Sequence, residues 1–183
     1  MVWRRRCEKG GSGEEGEWEV EWRKDGAHGD AINFLTVYSI VGQDGVEEIY
    51  FATMCAQGTL KLWYALYDPK SPEKETSKLE FTLIGQLLFG KNLQEAFAIT
   101  QMPGTNHLLI AIGGFDKNIH CYTFEIRRGK EKEDIDIDGT LTYAISLGGH
   151  MDSIKDLCFT SKSFRFADKD SKMTSLLYLA SCS

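Results

Sequence analysis

The sequence predicts an all-β fold built from repeated four-stranded units, and three observations predict it. Apolar runs of strand length, rich in Ile, Thr, Tyr and Phe, recur between turns made of Gly and Asn. Three of these runs, "IYFATM", "LLIAIGG" and "LLYLASCS", align on Ala52, Ala111 and Ala180, which stand 59 and 69 residues apart. An aromatic residue follows at constant distance: Trp63 is 11 residues after Ala52, Tyr122 is 11 after Ala111, and Trp3 lies 60 before Trp63. A fixed period in this range marks a repeat architecture. No segment keeps a helical period beyond two turns.

Taken in order, Trp3 and "EWEVEW" (17–22) supply the third and fourth strands of a half unit. The first full unit runs "INFLTVYSI" (32–40), "EIYFATM" (48–54), "LKLWYAL" (60–66) and "LEFTLIGQLLF" (79–89). The second runs "EAFAITQM" (95–102), "LLIAIGG" (108–114), "IHCYTFEI" (119–126) and "LTYAISLG" (141–148). "IKDLCF" (154–159) and "LLYLASCS" (176–183) open a last half unit. The whole is one domain over 1–183, about three unit equivalents. Gln57-Gly58 and Lys117-Asn118 are the places where a tight hairpin finds its positive φ. Charged insertions near 8–17, 68–78, 127–138 and 161–173 are expected to be irregular loops. Three join third to fourth strands and the last joins first to second, so all four open at one end of the sheets. The opposite end keeps short loops.

Composition narrows the function classes. With 183 residues, 42% of them hydrophobic, the chain can bury one sizeable core. A net charge of −6 argues against a dedicated nucleic-acid binder. The five cysteines form no C-x-x-C pair, and no N-x-S/T sequon is present, which reads as a reduced, intracellular chain. The expected location is the cytoplasm, with the nucleus as a second compartment. No apolar run is long enough for a membrane helix, and "MVWRRRCEKGG" has no apolar signal core.

A second mark recurs ahead of the first strands. "HGDAI" (28–32) and "HMDSI" (150–154) share His-x-Asp-small-Ile, and Gly149-His150 is a Gly-His dipeptide. Together with the apolar-Ala-small strand and the aromatic of the next strand, this resembles the WD-repeat β-propeller family over nearly the whole chain. The resemblance implies a fragment of a propeller: a half blade, two full blades and a half blade. It also implies a structural network in each blade that joins a loop His, a Ser or Thr of the second strand, the Asp of the tight turn and the Trp of the third strand. Carried over by position, this network is His28, Thr53 and Trp63 in the first full unit, where Gln57 replaces the Asp. It is Asp116 and Tyr122 in the second, without a matching His near Gly90-Lys91, and His150 and Ser181 in the third. Closed propellers have four or more blades, so the chain reads as part of a longer protein. The other arrangement is two copies that join their half-blades into a ring.

"LLIAIGGFDKNIHCYTF", "LGGHMDSIKDLCF" and "LLYLASCS" are similar to the middle blades of the family of second subunits of the Elongator complex. The chain keeps Ile119-His120, His150, Asp152 and Leu179–Ser183, and departs at Met151 and Ser153, where that family has an acidic residue and a Trp. The resemblance implies a non-catalytic scaffold in a complex that modifies wobble uridines of tRNA. Its partners would be the largest and the catalytic subunits, with tRNA contacted at most indirectly and with no membrane or small-molecule substrate. Acetyl-CoA, S-adenosylmethionine and an iron–sulfur cluster would belong to the catalytic subunit, so no cofactor is expected here. Alternatives are a WD-repeat scaffold of another intracellular complex, in signalling or ubiquitin transfer, and an enzyme framed by a propeller.

Motifs of other chemistries are weak. "GQLLFGKN" (85–92) nearly matches G-x-x-x-x-G-K-[S/T], but Asn92 lacks the Mg²⁺-binding hydroxyl and the interior reads as a strand. "DIDIDG" (134–139) opens like a calcium loop, yet Ile145 stands where the bidentate Glu belongs. His28, His107, His120 and His150 have no partner at a ligand spacing. No catalytic or metal residues are assigned from the sequence.

Overall fold

The computed structural model describes residues 2–5, 18–70, 79–89, 94–127, 139–164 and 174–183. Within them the chain forms strands and connecting turns only. The strands are β1 (Val2–Arg5), β2 (Trp18–Trp22), β3 (Ile32–Val41), β4 (Glu47–Cys55), β5 (Thr59–Tyr67) and β6 (Thr82–Leu88). They continue with β7 (Gln94–Gln101), β8 (His107–Gly114), β9 (Ile119–Glu125), β10 (Leu141–Leu147), β11 (Asp156–Phe164) and β12 (Thr174–Cys182). The strands pair antiparallel, each with its chain neighbour, into sheets β1-β2, β3-β4-β5-β6, β7-β8-β9-β10 and β11-β12.

The repeat seen in the sequence has a counterpart in the register. Val2 faces Trp22 and Trp3 faces Val20, which leaves Glu21 as an extra residue in β2. Leu62 faces Gly85 and Trp63 faces Leu83, which leaves Ile84 extra in β6. Cys121 faces Ile145 and Tyr122 faces Tyr143, which leaves Ala144 extra in β10. Each bulge therefore sits opposite the recurring aromatic, and each adds local twist at the same height of its sheet. Glu21 is buried in its bulge, and its Oε1 accepts the Leu79 backbone N–H at 2.9 Å.

Three apolar layers separate the four sheets in chain order. Val2 and Trp22 lie over Phe51, Trp63, Ala65 and Phe81. Trp22 meets Trp63 edge to face, with ring centroids 5.6 Å apart. The other face of β3–β6, with Tyr50, Met54, Leu60 and Leu62, packs on Phe97, Ile99, Ile110, Ile112 and Phe124. The third layer joins Ala96, Ala98, Ala111 and Cys121 to Ile154 and Leu157. The small residues here admit a close approach: a Cβ on Gly113 would come within 2.7 Å of Ile154. The first strands lie side by side, β3 against β7 and β7 against β11, while the fourth strands meet at β6 and β10.

The turns follow the predicted chemistry. Gly58 has φ 77° and Lys117, 59 residues on, has φ 63°. A non-glycine residue in this left-handed region carries a steric penalty of roughly 1–2 kcal/mol, and the Lys117 ammonium is tied to the Met151 carbonyl at 2.9 Å.

Two boundaries differ from expectation. Residues 161–164, expected in an irregular loop over 161–173, belong to β11 and pair with 174–177 of β12. The apolar run Leu176–Leu179 holds β12 in strand geometry, and its near end carries the ladder past Phe159. At β6, Leu79–Phe81 precede the strand rather than opening it, because the Leu79 N–H is taken by Glu21 and Phe81 turns into the aromatic layer. Of the expected insertions 8–17, 68–78, 127–138 and 161–173, residues 8–17, 71–78, 128–138 and 165–173 lie outside the described residues.

Candidate interaction surface

The antiparallel meander sorts the connections into two ends. One end carries residues 23–31, the β4–β5 turn (55–58), the β8–β9 turn (114–118) and the connection 148–155. The polar side chains that hold this end fall into three groups, one for each successive sheet.

In the first, His28, Thr53 and Trp63 come together. Thr53 lies on β4 opposite Lys61, two residues before Trp63 on β5, so both side chains share one sheet face. The Trp63 indole N–H donates to Thr53 Oγ1 at 2.9 Å, and His28 Nε2 lies 2.7 Å from the same oxygen. The hydroxyl can accept from the indole and share its own proton with the imidazole. His28 Nδ1 is buried and meets no hydrogen-bond partner among the described residues. Burial, and secondarily the positive charge of Lys61, pushes the His28 pKa below its ordinary value. Folding thus favours the neutral imidazole of His28. Lys61 itself donates to the Ala27 carbonyl at 2.5 Å, which ties the His28 loop to β5.

In the second sheet, the predicted pair Asp116 and Tyr122 occupies separate settings. Asp116, in the tight turn, accepts from Asn118 N at 3.3 Å and lies 2.5 Å from His120 Nε2. His120 Nδ1 in turn lies 3.1 Å from Ser146 Oγ on β10. Tyr122 is held by rings, edge to face with Phe89 at 5.1 Å and with Tyr143 at 5.6 Å. Burial raises its phenol pKa. The Asp116–His120–Ser146 line was not legible beforehand, because Ser146 reaches His120 only through the β9–β10 register.

In the last sheet, His150 Nε2 lies 2.7 Å from Ser181 Oγ. Ser181 follows Ala180 as Thr53 follows Ala52.

Two large apolar side chains are exposed on the connections at this end, one on the β8–β9 turn and one on the 148–155 connection. Phe115 is 56% exposed and Met151 89%. Their backbones are pinned: Ile154 N–H donates to the Gly114 carbonyl at 3.1 Å, and Lys117 Nζ to the Met151 carbonyl at 2.9 Å. Lys155 sits 5.3 Å from the Phe115 ring centroid and pairs with Glu95 at 2.5 Å. Apolar groups held out on constrained loops and rimmed by charge have the make-up of an interface anchor.

The remaining sequence candidates have other settings. His107 opens β8. In "GQLLFGKN", residues 85–88 are laddered to β5, and the Phe89 N–H donates to the Gly58 carbonyl, so these groups serve the sheet. Lys91 and Asn92 lie outside the described residues, as does 134–138 of "DIDIDG". Among the described residues no three His, Cys, Asp or Glu side chains converge as metal ligands. No helix among them is long and apolar enough to cross a membrane. Compared with known proteins, the sequence matches no family model and no curated protein.

Proposed function

We propose that the chain is a non-catalytic protein-interaction scaffold, formed by part of a WD-repeat β-propeller, in a multi-subunit complex. The sequence resemblance favours Elongator as that complex, with the largest and catalytic subunits as partners and tRNA contacted at most indirectly. The propeller reading is supported by the succession of meander sheets, by first strands that neighbour one another, and by a bulge repeated at each aromatic. The observation that carries the scaffold reading is the exposed pair Phe115 and Met151 on pinned loops. Rigid anchors lose little entropy on binding, which suits a permanent subunit contact.

The test is affinity purification of the full-length protein from cells, read by mass spectrometry. Phe115→Asp with Met151→Asp should release the partner subunits, whereas deleting 68–78 and 127–138 should retain them. The reverse pattern would move the docking surface to the other end. Recovery of no Elongator subunit with the unaltered protein would remove that complex from the reading and leave the scaffold class.

One observation favours a second reading. The Asp116–His120–Ser146 line orders a carboxylate, an imidazole and a hydroxyl as hydrolases do when they activate a serine. All three groups are solvent-accessible, which weakens such a relay. Labelling of Ser146 by a fluorophosphonate probe, lost in His120→Ala, would establish it.

A further inference from the structure

The connections that precede β3, β7 and β11 differ in length. Residues 23–31 ahead of β3 and 148–155 ahead of β11 number nine and eight. Each brings a histidine to a hydroxyl of the next strand, His28 to Thr53 and His150 to Ser181. Residues 89–93 ahead of β7 number five and contain no histidine. In the first full sheet the longer connection covers the strand ends, because Lys61 also holds it through the Ala27 carbonyl. The positions 59 residues further on are Ile112 for Thr53, Asp116 for Gln57, His120 for Lys61 and Tyr122 for Trp63. These four residues, with Phe89 after β6, line a cavity of about 270 Å³.

The lining has a definite chemistry. Ile112 is apolar and buried, and Phe89 meets Tyr122 edge to face at 5.1 Å. Asp116 adds a carboxylate: its Oδ1 accepts the Asn118 N–H at 3.3 Å, and its Oδ2 lies 2.5 Å from His120 Nε2. That uses two of the roughly four lone-pair sites of a carboxylate. With the proton of a neutral imidazole on Nε2, His120 donates to Asp116 and accepts from Ser146 Oγ at Nδ1. The lining then carries one negative charge, and it includes no Lys or Arg among the described residues. The ammonium groups of the adjoining loops are turned elsewhere, Lys117 to the Met151 carbonyl and Lys155 to Glu95.

We propose that this cavity takes an arginine side chain from a partner protein. A guanidinium stacks on aromatic rings and offers a planar fork of donors to the free lone pairs of Asp116. Its methylene stem is suited to the apolar surface of Ile112. The volume is just under the roughly 300 Å³ at which ligand pockets begin, which fits one inserted side chain better than a cofactor. Asp116 also shares its tight turn with the exposed Phe115, so one partner segment can cover the ring and fill the cavity. The proposal rests on the scaffold reading and names the chemistry of the partner that the scaffold holds.

The test uses the full-length protein purified from cells with its partners. A lysine-reactive cross-linker, read by mass spectrometry, should join Lys117 to a partner segment that contains an arginine. A synthetic peptide of that segment should bind the full-length protein saturably in fluorescence anisotropy. Citrulline in place of the arginine keeps the shape and removes the charge, and should weaken binding roughly 10-fold or more. Asp116→Asn keeps an oxygen for Asn118 and His120. It should weaken the arginine peptide to a similar degree and leave the citrulline peptide and the melting temperature unchanged. Equal binding of the two peptides, a segment without arginine, or no cross-link from Lys117 overturns the arginine site. The scaffold reading fails separately, by partners that stay bound to Phe115→Asp with Met151→Asp.

Discussion

The two complete sheets share strand order, register and bulge, yet they spend their polar groups in different places. In β3–β6 the polar contact is internal: Thr53 and Trp63 are buried, and His28 reaches them from the loop. In β7–β10 the equivalent positions are Ile112 and Tyr122, which pack without a hydrogen-bonded link, while Asp116, His120 and Ser146 bond on the accessible side. The same topology therefore forms with a buried polar set or with apolar packing at that place. What the sheets hold in common is the register and the bulge, so these, rather than the network, define the unit.

Breaking the buried set should show this most strongly. Trp63→Ala removes the indole that meets Trp22 and Phe51 and also the donor to Thr53. It should lower unfolding stability by about 3–5 kcal/mol, read from the urea midpoint. Tyr122→Ala, at a half-buried position, should lower it by clearly less. If the two losses were equal, the sheets would not differ in the way described.

Thr53→Val comes next. It keeps the shape and removes the oxygen that both His28 and Trp63 use, so the buried indole donor and the imidazole nitrogen lose their partner. The expected loss is about 1–3 kcal/mol. Ile112→Val, at the equivalent place in the second sheet, leaves no polar group unpaired and should fall at the lower end of that range, about 0.5–1.5 kcal/mol.

On the accessible side, His120→Ala should change stability by less than about 1 kcal/mol, because the bonds to Asp116 and Ser146 compete with water. A larger loss would mean that this line, rather than packing, holds the second sheet.

The smallest expected effect is a pH dependence assigned to one residue. The His28 pKa is depressed in the folded protein, so between the folded and unfolded values the unfolded chain binds the additional proton. Stability from this group is complete above the ordinary histidine pKa and falls as pH drops through the depressed folded value. His28→Gln should flatten that part of the profile, measured by thermal melting across the range. His120→Ala should leave it in place.

Much of this was legible along the chain, and the reason differs by feature. Strand identity, the repeat spacing and the Gly58 turn depend on near neighbours, so local chemistry announces them. The partners of Thr53 were also within reach, as what the resemblance to WD-repeat blades implies, and the structure brings His28 and Trp63 to its hydroxyl. The Asp116–His120–Ser146 line was out of reach: His120 and Ser146 are 26 residues apart and meet only after β9 and β10 have paired. The extension of β11 through Phe164 was hidden for the same reason, since "SKSF" reads as polar loop until β12 lies opposite it.

The sequence by itself determined an all-β chain with sheets of two, four, four and two strands, because periodicity, β-branched and aromatic content and turn residues act over a few positions. Only the tertiary structure decided which Asp binds which His, that His28 Nδ1 is enclosed without a partner among the described residues, and that Ile32, Leu35 and Val37 are exposed among them while Phe51 and Trp63 are not. Those outcomes depend on what packs across each face, and a sheet face is completed by residues far away in the chain or in another molecule.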